Sequence, residues 1–185
     1  SGEGTSASII KGIDWVAAVA AFPAVINLSL GGGVSPELDA AVKAATAQGI
    51  FFAIAAGNRA TDACLVSPAL NGAASGVVTV AAIDARELEA PSSNFGGCVD
   101  LWAPGVGVVS TALGPPESRL VLSGTSMAAP HVSGAIAAFL SIRREFIGKP
   151  RDVKRVFTTT ATPLGRERYF EGHGLVDLIR AIQSV

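Results

Sequence analysis

Two short, uncharged and largely apolar runs, separated by a well-punctuated helix, constrain this chain more than any other feature. Ala24 to Leu30 is rich in β-branched residues and stops at Gly31, Gly32 and Gly33, while Ile50 to Ala55 is apolar throughout. Between them, Ser35 followed by Pro36 and Glu37 is a helix start, with proline at the first helical position where its missing N–H costs nothing. The helix predicted there ends near Gln48 and is closed by Gly49, a residue that accepts left-handed backbone. Buried strands joined through a helix predict a parallel sheet covered on both faces, because the crossover lays the helix on the sheet.

The rest of the chain extends this α/β pattern. Ser8 to Ala21 places Ile9, Ile10, Ile13, Val16 and Ala20 at helical spacing, with Lys11 and Asp14 on the other side, and Pro23 ends it. Strand-like runs follow at Gly76 to Ala82 and Val99 to Ala103, and Pro104 with Gly105 turns the chain. Small residues from Ser123 to Met127 lead into a long apolar helix from Thr125 to Arg143, and two more helices are predicted from Lys149 and over Gly174 to Ser184. The predicted order is α-β-α-β-β-β-α-α-α, with no linker, repeat or low-complexity tract, so residues 1–185 read as one layered α/β unit. Apolar residues make up 49% and charged residues 16%, which is enough to fill a packed core and argues against disorder. The net charge of -1 offers no basic face, which argues against nucleic acid and anionic membrane as partners. Proline, glycine or a charge interrupts each apolar run before the roughly 18 residues a membrane span needs. The first residues, Ser1 to Gly4, have neither the basic start nor the apolar centre of a signal peptide. Cys64 and Cys98 lie in turn-rich stretches, and composition alone leaves two free thiols and one disulfide both open.

Three short segments carry chemistry. Gly124-Thr125-Ser126-Met127-Ala128-Ala129-Pro130-His131 sets a serine at a helix start, where unpaired N–H groups and the positive helix end favour a developing oxyanion. Taken alone, such a serine is more often a cap than a nucleophile. Ala55-Ala56-Gly57-Asn58 follows a buried strand, at the sheet edge where parallel α/β folds bind ligands, and the Asn58 amide is a donor. Ser29-Leu30-Gly31-Gly32-Gly33 ends the other strand, and exposed backbone beside glycines can pair with an extended peptide. In isolation the second and third segments are ordinary turns.

Taken together, and in this order, the three segments resemble the subtilase family of serine proteases, and its proteinase K-like branch most of all. The match continues through Asn71 to Ala85, Ser92 to Gly96, Val99 to Gly105 and Gly172 to Asp177, so it covers nearly the whole chain. The absence of a Gly-x-Ser-x-Gly elbow around Ser126 disfavours an α/β-hydrolase. The resemblance implies a subtilisin-like three-layer α/β fold, here lacking its N-terminal part, and a serine endopeptidase acting through an acyl-enzyme on Ser126. It implies that the Asn58 side chain and the Ser126 N–H form the oxyanion hole. Ala55, Ala56 and Gly57 would line the pocket for the residue before the cut bond, with room for a large apolar side chain. Leu30, Gly31 and Gly32 would pair with the substrate backbone, and Ser29 and Thr125 would also bind substrate.

His131 is not the base that this chemistry needs. It lies five residues beyond Ser126 on one helix, a rotation of about 500°, so the two side chains face apart. His173 reads as a surface residue, Asp14, Asp39 and Asp62 as solvated or turn residues, and Arg166 to Arg168 as a solvated loop. The family's Asp and His motifs precede its Ser motif, and neither occurs here. A hydroxyl without a base is a weak nucleophile, so this chain alone is expected to be inactive and to expose apolar sheet edges. The expected partners are an N-terminal segment of the same domain carrying Asp and His, peptide or protein substrates, and a propeptide or inhibitor. A catalytically inactive relative that only binds proteins is the competing reading, and the retained Ser126 and Asn58 weigh against it. The resemblance further implies a Cys64–Cys98 disulfide, export to an oxidising compartment, and a structural calcium held by Asp100 with carbonyls at Ser75 and Val77.

Overall fold

The computed structural model describes residues 4–185. Its centre is a four-stranded, wholly parallel sheet in sequential order: β1 (Val25–Leu28), β2 (Phe51–Ala55), β3 (Val77–Ile83) and β4 (Leu101–Pro104). Val25 pairs with Phe51, Phe52 with Val77 and Val80 with Leu101. All residues of β2 and β3 are buried, as continuous apolar strands require.

Alternation sorts the strand side chains into two cores. Phe52, Ile54, Ala81, Ile83 and Trp102 face α1 (Ser6–Val19) and α2 (Pro36–Ala47). Phe51, Ala53, Val80, Ala82 and Ala103 face α3 (Thr125–Ile142), α4 (Pro150–Thr160) and α6 (Leu178–Gln183), with the short α5 (Arg168–Glu171) lying between the last two in sequence. The result is the expected helix–sheet–helix sandwich. The local punctuation reads as the sequence implies: Ser35 accepts from Leu38 N–H as the cap of α2, Pro36 is its first residue, and Gly49 sits at φ +93°. Against expectation, α3 is long and apolar enough to cross a membrane, with 18 residues at a mean hydropathy of 1.2. Pro130 and Gly134 interrupt the sequence run without breaking the helix, and its apolar face, including Val132, Ile136 and Phe139, is buried on the sheet.

One feature was not anticipated, the hairpin, and one was, the exposed apolar sheet edge. An antiparallel hairpin, β5 (Val108–Thr111) with β6 (Arg119–Leu122), stands apart from the main sheet. Val109, Leu120, Val121 and Leu122 on it are 46–59% exposed, although a lone two-stranded hairpin has little stability of its own. Among the described residues β1 has no neighbour on its outer edge, and Trp15 and Phe22 are 67% and 48% exposed. The outer edge and the hairpin are thus apolar surfaces without cover.

Of the charged residues expected in solvent, Asp39 is buried and Arg166 half-buried, while Glu167 and Arg168 are exposed as expected. Asp39 is buried and accepts from Ser67 Oγ at 2.7 Å and Asn71 Nδ2 at 2.7 Å, tying α2 to the 3-10 turn Ala69–Ala73. Arg166 pairs with Glu89 at 3.4 Å and stacks 5.8 Å over the Trp102 ring, while buried Glu171 receives the N–H groups of Leu164 and Arg166. Both corrections arise because each side chain meets a partner from far along the chain, Ser67 and Asn71 at Asp39 and Glu89 at Arg166. Asp14 is exposed, and Asp62 is a turn residue that accepts from Cys64 N–H.

Cys64 and Cys98 form a disulfide across 34 residues, linking the turn Ala63–Leu65 to the approach to β4. A closed loop of that length is worth about 3–4 kcal/mol on the chain-entropy account. Replacing both cysteines by alanine is expected to lower unfolding free energy by about that amount. Denaturant titration checks it, and the same loss should follow reduction of the unmodified protein.

Candidate active site

The three chemical segments meet at the carboxyl edge of the sheet. Ser29 to Gly32 leave β1, Gly57 and Asn58 leave β2, and Ser126 opens α3. They line a cleft of about 350 Å³ with Leu30, Ala55, Arg59, Val66, Asn94 and Thr125.

Thr125 organises the cleft. It is fully buried; its N–H donates to Asn58 Oδ1 at 2.8 Å and its hydroxyl donates to the same oxygen at 3.0 Å. The hydroxyl also accepts from Gly57 N–H at 3.1 Å. The Thr125 N–H on Oδ1 fixes the orientation of the carboxamide, because an NH₂ group could not accept it. The Asn58 amide nitrogen is therefore the atom left to donate, and no protein acceptor engages it among the described residues. Thr125 lines the cleft, and its hydroxyl also holds Asn58 and Gly57.

Close approach depends on glycine at two places. At Gly57, with φ +107°, an added Cβ would lie 2.4 Å from Asn94 Nδ2. Asn94 is itself buried, donating to Ala56 O and accepting from the N–H groups of Arg59 and Thr61. At Gly105, which accepts from Gly124 N–H at 2.7 Å, a Cβ would meet Ala82 Cβ at 2.6 Å, so only glycine lets the start of α3 sit against β3.

Ser126 is half-buried, and its Oγ has a single contact, the Ser29 carbonyl at 3.5 Å, too long for a strong bond. Its backbone N–H belongs to the unpaired first turn of α3 and has no acceptor among the described residues. The carbonyl of Ser126 is tied to β1 by Ser29 Oγ at 2.8 Å, and Asn27 Nδ2 donates to that hydroxyl at 2.9 Å. His131 Nδ1 lies 2.8 Å from Met127 O, one turn back on its own helix. A carbonyl partner requires N–H at Nδ1, so the ring is held against its own helix backbone and makes no bond to Ser126.

Two expected substrate contacts change. Ala56 is fully buried, pairs with Val80 O and lies outside the cleft, since alternation turns it to the opposite core. Gly32 donates its N–H to Ser67 O at 3.0 Å, which removes that donor from any incoming strand. Arg59, Val66 and Asn94 are the lining residues that the sequence did not reveal. The Ala-Gly-Asn pattern marked the strand end but not what folds over it.

The residues offered for calcium fit an ammonium better. Asp100 is buried, and its Oδ1 is 2.8 Å from Lys154 Nζ, while Oδ2 accepts Thr79 N–H at 2.9 Å. Lys154 Nζ also donates to the carbonyls of Gly72 and Ala74, and neither Ser75 nor Val77 accepts from it. Burial pushes the Asp100 carboxyl up to about 6, opposed by Lys154 and by the Thr79 N–H. His173, expected at the surface, is half-buried on the wall of the cavity that adjoins this pair. Desolvation and the neighbouring Arg168 and Lys154 hold its pKa below the usual histidine range.

By architecture the molecule is of the subtilisin-like α/β class. It superposes on the crystal structure of a cold adapted subtilisin-like serine proteinase with a TM-score of 0.83 and 37% identity, covering 96% of this chain and 61% of that one. The chain belongs to the subtilase family, whose profile matches residues 1–175. It is 43% identical over 159 residues to the subtilase-type proteinase psp3 of Schizosaccharomyces pombe, covering 83% of this chain and 35% of that protein. It is 46% identical over 140 residues to an extracellular serine proteinase of a Thermus species, covering 76% of this chain and 33% of that protein. The chain thus spans about a third of these curated relatives' length.

Proposed function

We propose that this chain supplies the nucleophile and oxyanion-hole half of a serine endopeptidase, with the catalytic Asp and His coming from the N-terminal segment of the same domain. The observation that carries the reading is the fixed Asn58 carboxamide, its oxygen held by Thr125 and its nitrogen free beside the cleft that Ser126 lines. Such a donor has a use when a substrate carbonyl oxygen gains charge. In the reaction Ser126 Oγ bonds to the carbonyl carbon as its proton passes to the histidine of the N-terminal segment. That proton then goes to the leaving amine as the peptide bond breaks, and water releases the acyl group by the reverse sequence. The Asn58 amide and the Ser126 N–H receive the oxyanion. Ser29, Leu30 and Gly31 offer backbone to an extended substrate, and Ala55 and Gly57 leave room beside the scissile bond for a large apolar residue. The uncovered outer edge of β1 and the exposed hairpin are apolar surfaces that the N-terminal segment would cover. The disulfide supports export to an oxidising compartment, and a propeptide or inhibitor would compete for the same cleft.

A serine-directed fluorophosphonate tests this on the whole protease and on the isolated chain. Ser126 is expected to label rapidly in the first and not in the second, because only the first holds a base. A whole protein in which Ser126 stays unlabelled would instead be an inactive relative that binds proteins. In the active protein, Asn58→Ala is expected to lower kcat roughly 100- to 1000-fold, the magnitude established for the matching donor of subtilisin, a relative of this chain. KM should change little, since the oxyanion exists only in the transition state.

A further inference from the structure

We infer that the Lys154 ammonium takes the place of the structural calcium ion implied at Asp100, so that this protein carries a tethered cation there and binds no divalent ion at that point. The cation's surroundings are those of a small oxygen shell: Asp100 Oδ1 at 2.8 Å, the Gly72 carbonyl, and the Ala74 carbonyl at 3.5 Å. Three acceptors match the three donors of an ammonium. They fall short of the six to eight oxygens that calcium takes. The second carboxylate oxygen already accepts Thr79 N–H at 2.9 Å, which leaves it one lone pair to offer. No other acidic, histidine or cysteine side chain joins Asp100 in a group of three among the described residues.

Reach and charge point the same way. Lys154 comes from α4, and its side chain is 16% exposed, so the stem is packed and the head group delivered to the loop. Arg168 lines the adjoining cavity together with Lys154 and His173. A dication entering here would have to expel one ammonium and then sit near a guanidinium. The loop from Gly72 to Ala74 is held by the protein's own cation, and the sequence signature of the site, Asp100 with nearby carbonyls, survives without the metal.

The test uses the whole protease on a Ser126→Ala background, so that self-digestion does not set the result. Thermal midpoints are measured in excess calcium and in excess chelator, for that protein and for the further variant Asp100→Asn/Lys154→Met. The inference expects the same response to calcium in both, because any ion that binds does so elsewhere. A calcium ion bound at Asp100 at a hundredfold its dissociation constant would add about 5 °C or more to the response, and that increment would vanish in the variant. Such a loss overturns the inference. If the variant does not fold, a crystal of the Ser126→Ala protease soaked in calcium decides. Lys154 still on Asp100 supports the inference, and a metal there with Lys154 displaced overturns it. Neither readout depends on proteolytic activity.

Discussion

Ser126→Ala in the whole protease is expected to remove about six orders of magnitude from kcat while leaving the fold and its stability intact. The rate magnitude is the one found for the nucleophile of subtilisin, a relative of this chain, and corresponds to roughly 8–9 kcal/mol of transition-state stabilisation. The prediction that stability survives comes from this structure. Ser126 Oγ makes only the long 3.5 Å contact to the Ser29 carbonyl, so removing it strands no buried partner. The bond that ties the Ser126 turn to β1 runs from Ser29 Oγ to the Ser126 carbonyl and persists in alanine. The Thr125 bonds to Asn58 and Gly57 likewise involve no atom of the Ser126 side chain. Residual catalysis of roughly 1000- to 10000-fold over water should therefore remain, supplied by the oxyanion hole and binding alone. Turnover of a peptide substrate at saturation and the thermal midpoint together check the claim. Turnover retained near the parent level would remove Ser126 from the mechanism, and a collapsed midpoint would mean that the hydroxyl is structural.

What could be read from the sequence was whatever depended on neighbours in the chain. The Ser35–Pro36 start and Gly49 stop of α2 are local signals, and both stand where expected. Strand-end glycines marked the three site segments for the same reason, since the backbone there must turn or approach another element. Most of the expectations that failed concern partners brought from far along the chain. Asp39 looked like a solvated helix residue because Ser67 and Asn71 lie 28 and 32 positions away. Arg166 looked like a loop charge because Glu89 is 77 positions distant. Ala56 followed a buried strand beside Ala55, but alternation turned one to the cleft and the other to the opposite core. The β5–β6 hairpin carries no two-residue turn signal, only the longer Gly114-Pro115-Pro116 turn, and its apolar residues remain uncovered, so burial did not announce it.

Lys154 was invisible in the same way, far along the chain from Asp100, and it sets up the second large effect. Lys154→Met alone is expected to lower unfolding free energy by about 3–5 kcal/mol, because it leaves a buried carboxylate without its cation. Lys154→Met with Asp100→Asn is expected to recover most of that loss. The reason lies in the balance already visible at Asp100. Burial raises its pKa to about 6 even with Lys154 at 2.8 Å, so desolvation outweighs the attraction of the pair. A folded carboxyl raised above its unfolded value of 3.8 binds its proton more tightly in the fold, so stability falls as pH rises from about 4 through 6. Removing Lys154 raises that pKa further and extends the loss into neutral pH. The cost of the single change should accordingly shrink on acidification, whereas the double change, with no carboxylate, should show no such dependence. Denaturant titrations of the three proteins at pH 5 and pH 8 separate these cases. Equal destabilisation by the single and double changes would show that the Lys154 stem, and not its charge, holds α4 to the loop. A pair that is expensive to break and of little net worth when intact is what a built-in cation requires: it fixes where the loop from Gly72 to Ala74 sits without having to make the fold more stable.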